Sequence, residues 1–167
     1  KIINPEYDTK YVLAILNSKL IGFYFRLKNN EFDKIFPQIK ITEFKSLPIC
    51  IATKKEQKDL GSKVDEIRHS NVELQKNKSK FATRIKHNFG LEKLTKNLKS
   101  FYELTFEGFL KELAKQKVKL SLKQQDEWED YFNDYKKEII ELNEKIASTD
   151  SEIDNKVYKL YGLTKKE

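Results

Sequence analysis

The stretch TKKEQKDLGSKVDEIRHSNVELQKNKSKFATRIKHNFG, residues 53–90, decides the fold. Leu60, Val64, Ile67, Leu74, Phe81 and Ile85 fall on one seam of alternating four- and three-residue steps, with Asn71 and Lys78 at the two seam positions in between. A heptad pattern with polar interruptions predicts a long helix paired with a specified partner. Thr53 and Glu56 form a capping box at its start. Asn88-Phe89-Gly90 ends it, with Gly90 at the position that favours left-handed backbone. A second seam follows behind Ser121 as N-cap: Trp128, Phe132, Tyr135, Ile139, Leu142 and Ile146. Two seams with a connection long enough to turn back predict an intramolecular antiparallel coiled coil or bundle. Self-association through one seam is the alternative.

Outward from the seams, residues 9–28 read as one helix with Asp8 as N-cap. Its broad apolar stripe (Val12, Leu13, Ile15, Leu16, Leu20, Phe23, Tyr24, Leu27) needs something to bury it. Lys28 to Lys34 reads as a loop. The period then changes to that of strands. Ile39-Lys40-Ile41 alternates and Pro48-Ile49-Cys50-Ile51 is β-branched, so a small β element is expected over residues 36–51, started by Pro37 and Pro48. Thr42 to Leu47 between them reads as one helical turn capped by Thr42. Leu91 to about Lys117 is helical in two pieces split near Thr105. There Phe101, Tyr102, Phe106 and Phe109, at helical spacing with Leu98, Leu104, Leu110 and Leu113, read as core. Thr149 with Glu152 gives another capping box, and a final helix through Ile153, Val157 and Leu160 ends at Gly162. The expected fold is therefore mainly α, a long antiparallel coiled-coil or helical bundle with a small β element. The expected boundary separates residues 1–52 from a helical part, 53–167.

Five Gly and three Pro in 167 residues suit helices with few tight turns. The chain starts at Lys1 and contains no Met, which reads as part of a longer protein. A single Cys, Cys50, excludes a disulfide framework and suits a reducing, cytoplasmic setting. The most apolar run, Tyr11 to Leu27, is broken by Asn17, Ser18, Lys19 and Arg26, so no membrane span is expected. The net charge of +7 is unevenly spread: residues 51–100 carry 13 basic and 6 acidic side chains, residues 101–167 carry 12 and 15. Between Lys76 and Lys99 stand Lys76, Lys78, Lys80, Arg84, Lys86, Lys93, Lys96 and Lys99 against Glu92 alone. Such a cluster attracts a phosphate backbone, and its Lys excess suits backbone attraction better than base reading.

Catalytic patterns are missing. The five glycines are isolated, which excludes a phosphate-binding loop. His69 and His87 stand apart, with no metal-ligand spacing. Carboxylate pairs such as Asp65-Glu66 and Glu129-Asp130 sit on helix faces beside Lys and Arg. Asn4-Pro5-Glu6-Tyr7 looks like the base-holding motif of adenine-N6 methyltransferases. It has Glu where that motif has a second Pro, and the cofactor-binding glycines are absent, so it reads as coincidence.

Several segments carry a family resemblance. Tyr11-Val12-Leu13-Ala14-Ile15-Leu16-Asn17-Ser18-Lys19-Leu20 resembles a helix of Type I restriction specificity subunits and Type IIG enzymes. Phe36-Pro37-Gln38-Ile39-Lys40-Ile41, then Leu47-Pro48-Ile49, then Lys55-Glu56-Gln57-Lys58 follows that family's order. Leu120-Ser121-Leu122, Trp128 to Phe132 and Ile153-Asp154 to Leu163-Thr164 resemble the C-terminus of Type IIG adenine methyltransferase–endonucleases. The chain thus resembles the C-terminal, TaqI-like specificity region of a bacterial restriction–modification protein. The resemblance implies a non-catalytic fragment: the end of a DNA target-recognition domain (1–52) and a coiled-coil spacer (53–167). Its parent would be an adenine-N6 DNA methyltransferase with or without endonuclease activity, using S-adenosylmethionine and Mg2+. Implied partners are double-stranded DNA and a methyltransferase or nuclease domain of the same or another chain. Candidate DNA contacts are Lys28, Asn29, Asn30, Lys34, Gln38, Lys40 and Lys45 near the bases, with Lys76, Lys78, Lys80, Arg84 and Lys86 toward phosphates or a docked methyltransferase. The competing expectation is a coiled-coil protein-docking module with no DNA contact.

Overall fold

The structure, a computed structural model, describes residues 5–29 and 40–164. Among these, the elements are helices α1 (Thr9–Asn17), α2 (Lys19–Asn29), α3 (Ile41–Lys45), α4 (Lys54–Phe89), α5 (Lys96–Lys99), a 3-10 turn (Phe101–Glu103), α6 (Phe106–Lys115) and α7 (Leu122–Leu160). The fold is mainly α, as the seams predict. It divides into two units: Lys1–Arg68 with Ala147–Glu167, and His69–Ile146.

In the first unit, Asp8 caps α1, its carboxylate accepting from the amides of Lys10 at 2.8 Å and Tyr11 at 3.1 Å. The expected single helix over 9–28 is in fact two. Ser18 leaves the helical region at ψ 150° and its hydroxyl donates back to the Ile15 carbonyl at 2.7 Å. The Lys19 amide, instead of continuing the helix, donates to the carboxylate of Asp154 at 2.8 Å. A side chain 135 positions away thus caps α2. Tyr11, Ala14, Ile15 and Ile21 then pack with Leu60 and Val64 of α4 and Ile153 and Val157 of α7. Fully burying each large aliphatic side chain contributes about 1.5–3 kcal/mol.

The capping box of α4 forms as expected, with the Thr53 amide 2.8 Å from the Glu56 carboxylate and the Glu56 amide 3.3 Å from the Thr53 hydroxyl. Pairing of α4 with α7 is antiparallel. Asp59 meets Lys156 and Lys63 meets Glu152 in the first unit, and Asn77 meets Glu138 in the second. The second capping box does not form. Glu152 reaches across to Lys63 at 2.9 Å rather than back to Thr149. Thr149 is buried within α7, which runs unbroken to Leu160. Gly162 (φ +71°) then closes the last turn of α7.

The expected β element is also absent from residues 40–51. Ile41 belongs to α3, whose N-cap is Lys40 rather than Thr42, its amide 3.3 Å from the Glu43 carboxylate. Pro48 to Ile51 forms no strand, because its backbone groups are taken by tyrosine hydroxyls, described below. Residues 36–39 of that expected element lie outside the described residues.

The second unit is built around Phe81. Its ring stacks on Phe101 with centroids 3.6 Å apart and on Tyr131 at 5.5 Å, and meets Trp128 and Phe132 edge-on. Phe101 and Phe109 are core residues, as read from the sequence. Gly90 takes φ +63° and the Leu91 amide returns to the Lys86 carbonyl at 3.0 Å, which ends α4. Thr105 caps α6, placing the expected split. The short elements before α6 are pinned by Glu112, a buried carboxylate that accepts from Thr95 at 3.0 Å, Asn97 at 3.1 Å and Lys115. Lys115 and then Asn97 hold that carboxyl below the ordinary glutamate range. Ser121 caps α7, its amide 3.0 Å from Gln124.

Candidate nucleic-acid interface

Two places in the chain gather polar chemistry. In the first unit, three tyrosines converge on residues 48–50. Tyr161 donates to the Pro48 carbonyl and accepts from the Cys50 amide at 3.3 Å. Tyr7 donates to the Ile49 carbonyl at 3.3 Å, and Tyr11 to the Cys50 carbonyl at 2.8 Å. Burial, then its hydrogen bond to Cys50, pushes the Tyr11 phenol far above its ordinary range. Burial likewise raises Tyr161. Beside them, Gln57 is 2% exposed and satisfies three main-chain groups. Its amide nitrogen donates to Ala52 at 2.9 Å and Glu6 at 3.0 Å, and its oxygen accepts from Asp8 at 2.8 Å. The closing segment, the Leu-Pro-Ile segment and the Glu-Gln entry to α4 therefore form one hydrogen-bonded junction. This junction holds segments in place; its phenols are committed to backbone.

The second place is the face of α4 in the second unit. Lys76, Lys80, Arg84 and His87 follow one another at four, four and three residues, which puts them in one row rising about 6 Å per step of four. They line a groove of about 570 Å³ with Tyr131 and Tyr135 of α7. Tyr135 is pushed up to about 12, first by its hydrogen bond to Tyr131 and then by burial. Among the described residues, neither Lys76, Lys80, Arg84 nor Lys86 forms an ion pair.

The structure thus gathers three of the expected contact residues, Lys76, Lys80 and Arg84, into one row. Lys78 points elsewhere: its ammonium lies 3.0 Å from the Tyr102 hydroxyl and 4.3 Å from that ring's centroid. Lys86 is exposed off the row. Lys28 donates to Ser46 at 3.0 Å, and Asn29 donates to the Phe25 carbonyl at 3.0 Å at the end of α2. Lys40 caps α3 and lies 3.6 Å from Glu43, and Lys45 is exposed in the last turn of α3. Asn30, Lys34 and Gln38 lie outside the described residues. Sequence reading missed His87, although its spacing from Arg84 is visible. It also missed the three tyrosines and Gln57, whose partners are distant.

An apolar surface accompanies these. Phe23 and Leu27 of α2 are 57% and 61% exposed. Leu20 and Phe23 border a groove with Tyr158 and Leu163. Among the described residues no three His, Cys, Asp or Glu side chains could hold a metal ion, and no helix is long and apolar enough to cross a membrane.

Residues 53–157 match the family described as Domain of unknown function (DUF8810), and residues 1–49 match the TaqI-like C-terminal specificity domain. No curated protein and no solved structure matches the chain. The first match opens at Thr53, where the capping box starts α4. Because that match spans more than half of the 167 residues, the chain belongs to the DUF8810 family, with a TaqI-like specificity region at residues 1–49 ahead of it.

Proposed function

We propose that this chain is a DNA sequence-recognition and spacer module of a restriction–modification protein, without catalytic chemistry of its own. Residues 1–52 are the end of the recognition domain, and 53–167 the helical spacer that positions a site-specific adenine-N6 methyltransferase or endonuclease. S-adenosylmethionine and Mg2+ belong to that catalytic part. The observation that carries the reading is the specificity-domain match over residues 1–49. The junction supports it, since Gln57, Tyr161 and Asp154 tie that region to α4 and α7 and so give it a defined orientation on the helices. Preorganisation of this kind is what a reader of base edges requires.

The test is fluorescence anisotropy of the chain with duplex DNA at about 50 mM salt, where phosphate contacts are strongest. Saturable binding is expected. A second reading, a docking module that binds protein only, draws on the exposed α2 residues Phe23 and Leu27. It predicts a stoichiometric complex with a DNA adenine methyltransferase and no DNA affinity.

A further inference from the structure

In the first unit four lysines pair across helices. Lys10, Lys19, Lys63 and Lys156 each meet a carboxylate on another helix: Asp65, Asp154, Glu152 and Asp59. The α4 row of the second unit does not. Its groove is walled by cations, by His87 and by hydroxyls, Ser79 and Thr83 on α4 and Tyr131 and Tyr135 on α7, with no carboxylate among them. Every one of those side chains can donate a hydrogen bond to an anion. The acids of α7 lie to one side, where Glu138 and Glu141 line the adjoining groove with Lys76 and Lys80, and Glu138 is engaged by Asn77 at 2.8 Å. Three cations in line, none of them in an ion pair among the described residues, disfavour the helix slightly through their repulsion. A linear polyanion relieves that repulsion, and the regular step of about 6 Å along the helix suits a repeating charge better than a single one. Tyr, Ser and Thr hydroxyls with Lys and Arg are the groups that contact phosphate oxygens in nucleic-acid interfaces.

We propose that the row Lys76, Lys80, Arg84 and His87, with the tyrosine hydroxyls beside it, is a contact site for the phosphates of a nucleic-acid backbone, independent of base sequence. This goes beyond recognition by residues 1–52 and rests on the DNA-directed reading above. It selects among the cations of the helix: Lys76, Lys80 and Arg84 take part, while Lys78, held on Tyr102, and Lys86, off the row, do not.

The experiment measures binding of the full chain to a labelled duplex of unrelated sequence as salt rises from about 50 to about 200 mM. Wild type is compared with K76Q/K80Q/R84Q and with K78Q/K86Q, all checked for unchanged helicity. Each lost phosphate contact removes about 0.9 from the slope of log affinity on log salt, so the triple variant should lose about 2.7. Wild-type affinity should then fall about 40-fold more than that of the triple variant over this range. The K78Q/K86Q variant should keep the wild-type slope. Equal slope losses per charge in both variants would overturn the proposal, since the row would then be only part of a diffuse charge. So would absence of wild-type binding at the lowest salt, or binding of the triple variant with unchanged slope. Repeating the comparison on duplexes of different sequence separates this site from the recognition reading. A uniform loss with sequence preference retained supports both. A salt-sensitive row with no preference anywhere supports this site and removes that reading.

Discussion

The two units differ in where their cations find carboxylates: across helices in the first, and within α6 rather than on α4 in the second. In the first, Lys10, Lys19, Lys63 and Lys156 are matched by carboxylates on neighbouring helices, and a buried Gln57 and Asp154 satisfy backbone groups at the chain's turns. In the second, the core is a cluster of aromatic rings, and among the described residues Lys76, Lys80 and Arg84 of α4 form no ion pair. The lesson is that one long helix serves two purposes. Where α4 meets the specificity region, its polar groups fix geometry. Beyond it, the same helix is held mainly by apolar packing, with Asn77 and Lys78 engaged, which leaves Lys76, Lys80 and Arg84 available.

Substitutions in each unit test this contrast. Phe81→Ala removes the ring about which the second unit packs and should cost about 3–5 kcal/mol in chemical denaturation. A loss near 1 kcal/mol would mean the aromatic cluster is not what holds α4 there. Gln57→Leu strands the Asp8 amide and the Ala52 carbonyl, while Lys54 still serves the Glu6 carbonyl, and about 2–3 kcal/mol should be lost. An isosteric Gln57→Glu retains one acceptor and should fall short of wild type as well.

Alkaline pH probes the tyrosines. The folded-state pKa of Tyr11, Tyr161 and Tyr135 is raised above the ordinary tyrosine value of about 10. The folded chain therefore keeps protons that the unfolded chain releases. Their stabilisation is complete below about pH 9 and declines as pH rises past about 10. Thermal unfolding followed from pH 8 upward should show that decline, and Tyr11→Phe should flatten it. If the variant declines as steeply as wild type, the junction phenols are not its source. The smallest effect is the most direct comparison of the units. Lys63→Gln breaks a cross-helix pair and should lower the unfolding midpoint slightly, whereas Lys80→Gln should leave it unchanged or raise it slightly. The reverse order would remove the distinction between paired and available charge.

The seams were legible because their period is local: Leu60 to Ile85 and Trp128 to Ile146 announce themselves every three or four residues, and the caps Asp8, Thr53, Thr105 and Ser121 lie beside the helices they start. What escaped depends on distant residues. Ser18 is a local cap, its hydroxyl 3.4 Å from the Ile21 amide, but the carboxylate that takes the Lys19 amide is Asp154 on α7, which no local pattern announces. The β-branched run at Pro48 to Ile51 has strand composition, but Tyr7, Tyr11 and Tyr161 occupy the positions a neighbouring strand would take. Thr149 and Glu152 have capping spacing, yet Lys63 claims the glutamate. For the basic face, composition located the charge, but only the helix separated Lys76, Lys80 and Arg84 from Lys78, and brought His87 to them.

Selection from a pool tests most directly whether the chain helps to choose a DNA sequence. A randomised duplex library would be bound by the chain at low salt, and the retained molecules sequenced alongside the input. A common motif should be enriched, and the same motif should emerge with K76Q/K80Q/R84Q at lower yield. A retained pool indistinguishable from the input would contradict the central claim and leave the helices as a docking scaffold.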